Sequence, residues 1–208
     1  QRASFTVNVR IPGWARNEVV PGDLYRFLDP LPGPAVIKVN GRAIIDQLSS
    51  KGYVPVTRAW KAGDTIDLLL PMAPRRVVAH DQVAADADRV AIQRGPIVYA
   101  AEWPDNPNAQ VRNLVLSDSA PLKAEHRPGL LNGVTVVTST ATWLEDDGKG
   151  GVVRKSGPFT AIPYYAWANR GRGEMMVWLP RSEKSGWARP FPTLAMLSQV
   201  TVSGKYRL

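Results

Sequence analysis

Three sets of side chains in this sequence have the types and spacing to do chemistry. The first is acidic. Glu102 and Asp105 flank Trp103, Asp146 and Asp147 are adjacent, and Glu145 precedes them. Two carboxyl groups facing one bond can divide acid and base work between them, as glycoside hydrolysis requires. Glu102 and Asp105, however, fall at a strand end that reads as solvent-facing. Asp146-Asp147 falls in a Gly-rich hairpin tip, DDGKGG, where Asp is favoured for turn chemistry alone. No catalytic residue is assigned among them.

The second set is metal-binding or nucleophilic in type. His80 and His126 each stand alone in a polar loop, whereas a metal site wants several ligands at short spacing. The sequence has no cysteine, hence no disulfide, no thiolate ligand and no Cys nucleophile. It also lacks a G-x-S-x-G turn and a phosphate-binding GxxxxGK[ST] loop. Gly171-Arg172-Gly173 is explained by a tight turn. No metal ligand is assigned.

The third set is aromatic. Tyr164, Tyr165, Trp167 and Trp178 crowd the stretch AIPYYAWANRGRGEMMVWLP, residues 161–180. Sugar rings carry C–H groups that pack on aromatic faces, so exposed rings here would make a carbohydrate-binding platform of Tyr164, Tyr165 and Trp167. In an extended strand Tyr165 and Trp167 share one face and Tyr164 takes the other. Core packing and ligand contact both stand as readings of these rings.

The elements that must position these groups read as strands. Phe5, Val7, Val9 and Ile11 alternate with polar residues, and Pro12-Gly13 ends the run. Further strands are expected at 35–39, 52–60, 66–70, 75–78, 90–92, 97–101, 114–116, 134–143, 152–153, 159–167, 175–179 and 200–202, with one helical turn after Thr193. Asn40-Gly41 accepts positive φ at both turn positions and predicts a tight hairpin. Pro55 cannot donate to a ladder, which places its strand at an edge, and Pro163 hints at the same. Stretches 16–34, 103–113, 117–133 and 181–192 read as surface loops. No amphipathic helix and no fixed-period repeat stands out. This spacing predicts an all-β protein of two consecutive antiparallel β-sandwich, jelly-roll-like domains. The polar, Ala-rich stretch 79–89 places their junction, giving residues 1–88 and 89–208.

The 208 residues carry 26 Lys+Arg against 18 Asp+Glu, a net charge of +8. The basic residues are scattered, with short clusters only at Arg75-Arg76 and at 170–172, so nucleic acid is not an expected partner. No run of about 18 apolar residues is present, so no transmembrane helix is expected. The chain opens inside a strand pattern without an apolar leader, as expected of a piece of a longer polypeptide. The compartment stays open between the cytoplasm and an exported location.

Five segments carry a resemblance: FTVNVRIPGWA (5–15), VNG (39–41), GYVPVTRAWKAGDTIDLLLPM (52–72), VAIQRGPIVYAAE (90–102) and AIPYYAWANRGRGEMMVWLP (161–180). In this order they resemble the C-terminal β region of glycoside hydrolase family 127, the β-L-arabinofuranosidase-like enzymes. The resemblance implies an (α/α)6 catalytic barrel ahead of two β-sandwiches. It implies a zinc-bound cysteine nucleophile and a glutamate acid/base, all in that barrel. None of these transfers to this chain, so zinc is expected only there. The matched segments then imply structural parts: Trp14 and Trp60 as sandwich plugs, Gly41 and Gly63 as turn formers, Arg94-Gly95-Pro96 as a bend. The expected role is accessory, stabilising the barrel and a homodimer. An apolar exposed surface on the first sandwich would follow. The rival is a stand-alone carbohydrate-binding module.

Overall fold

The computed structural model describes residues 2–44, 51–149 and 151–186. The expected strand at 200–202 and the turn after Thr193 lie outside the described residues. The described residues form fifteen strands in chain order. They are β1 (Arg2–Arg10), β2 (Tyr25–Phe27), β3 (Val36–Val39), β4 (Arg42–Ile44), β5 (Tyr53–Lys61), β6 (Ile66–Leu69), β7 (Pro74–Ala79) and β8 (Arg89–Arg94). Then come β9 (Ile97–Glu102), β10 (Leu114–Val115), β11 (Lys123–Arg127), β12 (Val134–Asp146), β13 (Val152–Pro163), β14 (Met175–Met176) and β15 (Leu179–Pro180). Short 3-10 turns are the helical elements among the described residues. All pairings among the described residues are antiparallel, so the all-β, antiparallel expectation holds.

The first layer pair forms from β1–β5 and from β4–β3–β6. Both sheets feed one core: Ile11, Ile37, Val39, Val54, Val56 and Trp60 are buried there, and Trp14 packs against it. Alternation explains the faces, since Val54 and Val56 point in while Tyr53, Pro55 and Thr57 point out. Within its sheet β5 has β1 as its single neighbour, so Pro55 does sit on an edge. The β3–β4 turn holds Asn40 at φ 51° and Gly41 at φ 78°, the left-handed pair its dipeptide predicted. Asn40 also ties this turn to the β5–β6 turn: its Nδ2 donates to Asp64 Oδ1 at 2.9 Å and its Oδ1 accepts from the Thr65 N–H at 2.9 Å.

The third sheet runs β10–β12–β13–β9–β8–β7–β2, with β11 on β12, β14 on β9 and β15 on β8. The β8–β9 hairpin splays past Ile92–Tyr99, and β14 and β15 enter the gap. The Leu116 N–H donates to Pro180 O at 2.8 Å, which brings β10 back to β15 and closes the ring. Tyr99, Phe159, Trp143, Leu114, Leu116 and Leu179 fill its interior. β12 buries both faces at its start, Val137 into this core and Val136 into a smaller cluster with Val134, Ile162 and Ala166.

Several expectations need correction. The stretches 16–34 and 117–133 each hold a strand, β2 and β11. Segments 152–153 and 159–167 are one strand as far as Pro163, because β12 pairs with it continuously through Gly157 and Pro158. The 175–179 stretch is two short strands. The junction expected after residue 88 lies between β7 and β8, which pair in one sheet; β2, from the N-terminal part, joins that sheet too.

Asp29 ties these parts together. It accepts from the Arg76 N–H and, at 3.1 Å, from Arg76 Nη1; its carbonyl accepts Arg75 Nη2 at 2.7 Å. Arg75 also stacks 3.6 Å from the Phe27 ring centre and reaches Asn17, and Arg76 reaches the carbonyls of Ser117 and Ala120. Both arginines are buried.

Candidate functional site

β13 ends at Pro163, and a 3-10 turn, Tyr164–Ala166, follows at once. It is closed by the Trp167 N–H donating to Tyr164 O at 3.1 Å. A 3-10 turn has three residues per turn, so residues i and i+3 eclipse. Tyr164 and Trp167 accordingly stack, with centroids 5.8 Å apart and planes at 26°. The alternating-face expectation for these residues, made for a strand, is therefore corrected. Tyr164 is 46% exposed, Tyr165 69% and Trp167 38%, while Ala166 beneath them is buried against Val134, Val136 and Ile162. The structure thus brings all three expected residues to the surface on one turn.

The chain then folds back. Ala168 takes φ 67° and its N–H donates to Glu102 Oε1 at 3.2 Å; Asn169 Nδ2 donates to the carbonyls of Ala166 and Trp167. Arg170 inserts between the two acids. Its Nε donates to Glu102 Oε2 at 3.0 Å, its Nη1 to Asp105 Oδ1 at 2.8 Å, and its Nη2 to both carboxylates. The Glu102 side chain is 1% exposed, so the expectation of a solvent-facing acidic pair is also corrected. Hydrogen bonds donated to Asp105 first, then to Glu102, hold the guanidinium's titration well above its ordinary range. Both carboxylates are thereby committed to one cation and are not poised as an acid and a base.

The surroundings fix this cluster. Asn106 Nδ2 donates to the carbonyls of Glu102 and Thr160, and its Oδ1 accepts from the Thr160 N–H. The Trp103 ring lies flush on Gly173, where a Cβ would fall 2.1 Å from Trp103 Cδ1. The Glu174 carboxylate receives the N–H groups of Val111 and Arg112 at 2.9 and 3.2 Å. Below, the Tyr99 hydroxyl donates to Thr135 O at 2.9 Å, and burial pushes its titration up.

The other candidates have local partners. Asp147 accepts the N–H groups of Lys149 and Gly151, which lower its pKa, Asp146 accepts that of Gly148, and Glu145 pairs with Lys155 at 2.6 Å. His80 Nδ1 accepts from the Gln82 N–H, and His126 lies in β11 rather than in a loop. No group of three or more His, Cys, Asp or Glu side chains placed to hold a metal ion is found among the described residues. Elsewhere, Tyr25 and Trp178, 5.6 Å apart, border an apolar groove of about 320 Å³ with Val20, Val77 and Val98. On the first sandwich Phe5, Tyr53, Leu68 and Leu69 are exposed, on strands of both sheets. Arg170 does not stand out in the sequence as a site residue. It lies 65 and 68 residues from its partners, and no local pattern announces the pairing.

The described residues form an all-β, antiparallel module whose exposed aromatic turn is braced by an ion cluster. The beta-L-arabinofuranosidase, GH127 middle domain family matches residues 1–72, and the glycoside hydrolase family 127 C-terminal domain matches residues 74–180. The chain belongs to glycoside hydrolase family 127. It is 34% identical over 193 residues to a non-reducing end beta-L-arabinofuranosidase of Bifidobacterium longum subsp. longum, covering 86% of this chain and 26% of that protein. A solved GH127 beta-arabinofuranosidase superposes with TM-score 0.86 at 42% identity, over 91% of this chain and 30% of the other. A GH127 beta-L-arabinofuranosidase from Geobacillus stearothermophilus T6 gives TM-score 0.73 at 38% identity, over 86% and 27%. The chain spans about a quarter to a third of the relatives it matches.

Proposed function

We propose that these residues are the accessory, non-catalytic β-sandwiches of a β-L-arabinofuranosidase-like glycoside hydrolase acting on L-arabinofuranosides of plant-type glycans. Their partner is a catalytic barrel of the same polypeptide, which they stabilise, together with a second copy in a homodimer. The nucleophile, the acid/base and zinc belong to that barrel. The observation that carries this reading is which family segments match: a middle and a C-terminal domain, over about a quarter of a curated arabinofuranosidase. The Arg170 lock on Glu102 and Asp105 supports it, since the best-placed acidic pair is committed to an ion cluster.

The test is an assay of this 208-residue chain on an aryl L-arabinofuranoside, alone and mixed with a separately produced upstream catalytic portion. No turnover by the chain alone, and a raised melting temperature of the upstream portion in the mixture, are expected. Turnover by the chain alone, with or without zinc, would overturn the proposal.

A further inference from the structure

The aromatic turn has a construction that packing alone does not require. Aromatic side chains are the largest apolar groups, and folding normally hides them. Here three stand exposed within four positions while the alanine between them is buried. The turn is pinned at both ends. Pro163 enters it from β13, and Ala168, in a left-handed conformation, hands its N–H to the buried Glu102 carboxylate. Arg170 then locks Glu102 and Asp105 together. A buried three-charge cluster is a poor source of net stability, because desolvation offsets most of its attraction. Its evident effect is geometric: it fixes where the aromatic turn begins its return. Rings held rigid lose little freedom on contact, which favours weak, flat ligands.

We propose that Tyr164, Tyr165 and Trp167 form a glycan-binding subsite, taking the C–H face of a neutral sugar unit of the polymer on which the parent enzyme works. Tyr165 projects furthest and makes the main contact. Tyr164 and Trp167, stacked on one another and both exposed, give a ledge beside it. Arg170 is a positioning residue that touches no sugar. The subsite has no part in bond cleavage and holds the polymer near the enzyme. It rests on the accessory reading only for the choice of sugar.

The chain is titrated with linear arabino-oligosaccharides by calorimetry and by tryptophan fluorescence, with xylo- and cello-oligosaccharides of equal length in parallel. A Kd on the order of 1 mM is expected for the arabino series. Tyr165→Ala and Trp167→Ala are expected to weaken it by roughly tenfold each while the far-ultraviolet spectrum is kept. Arg170→Lys is expected to weaken it and to shift the tryptophan emission before any sugar is added. Binding of only the xylo or cello series, still lost in Tyr165→Ala, upholds the subsite and counts against the arabinose assignment of the parent. No signal with any series, or unchanged affinity in Tyr165→Ala and Trp167→Ala, overturns the subsite. So does a concentration-dependent dimer in sedimentation that Tyr165→Ala abolishes, because a second copy would then be the occupant.

Discussion

Arg170 and Glu102, 68 residues apart, form an ion pair in which the carboxylate is almost completely buried and Asp105 shares the same guanidinium. Removing the cation leaves a buried charge without compensation. Arg170→Met should therefore cost about 3–5 kcal/mol, read by urea denaturation. Adding Glu102→Gln to that variant should recover part of the loss. A loss near zero in the single variant would show that the cluster is solvated in solution.

Gly173 has a purely steric duty. Any Cβ there meets the Trp103 ring at 2.1 Å, well inside contact distance. Gly173→Ala must displace the indole, whose own N–H has no partner among the described residues. About 1–3 kcal/mol of destabilisation is expected, with a change in near-ultraviolet dichroism. Gly129, with open space around its missing Cβ, is the control and should accept Ala with little change.

The joint at Asp29 should behave as a single unit. Asp29→Ala strips acceptors from the buried Arg76 guanidinium and from its N–H. A loss of about 3 kcal/mol is expected, within the range for leaving a buried charged donor unpaired. Differential scanning calorimetry should show it as a lower transition temperature. If β2 couples the two cores, both parts should lose stability together.

Acid should weaken the fold in a defined direction. Asp118 is held below its ordinary range, chiefly by the hydrogen bonds of Arg181, and Glu183 likewise by Arg154. A depressed folded-state pKa means stability that is fully present above the unfolded value, about 4, and lost as pH falls through the folded one. Stability should thus be flat near neutrality and drop below about pH 4. Asp118→Asn should remove part of that slope and, being at the surface, cost less than about 1 kcal/mol at pH 7.

Much of this architecture was legible in the chain. Alternation marked β1, β5 and β6, Asn40-Gly41 marked its hairpin, and Pro55 marked an edge. What escaped was whatever depends on a distant partner. β11 reads KAEHR, with exposed side chains and no apolar period; its backbone pairing to β12 alone makes it a strand. β2 is three residues within a charged stretch. The aromatic residues stand out in the sequence but their geometry does not, because nothing in YYAW separates a strand from a three-residue turn. Glu102 looked exposed since its counter-charge enters from another part of the sequence.

The hydrogen bond from Leu116 to Pro180 leaves the ring without a seam at that side. A stranger's strand finds no ragged border there to extend. Cutting the chain before Leu179 would unzip the border on β8 and β10 at once, and the trimmed protein should polymerise into ribbons where the intact one stays dispersed.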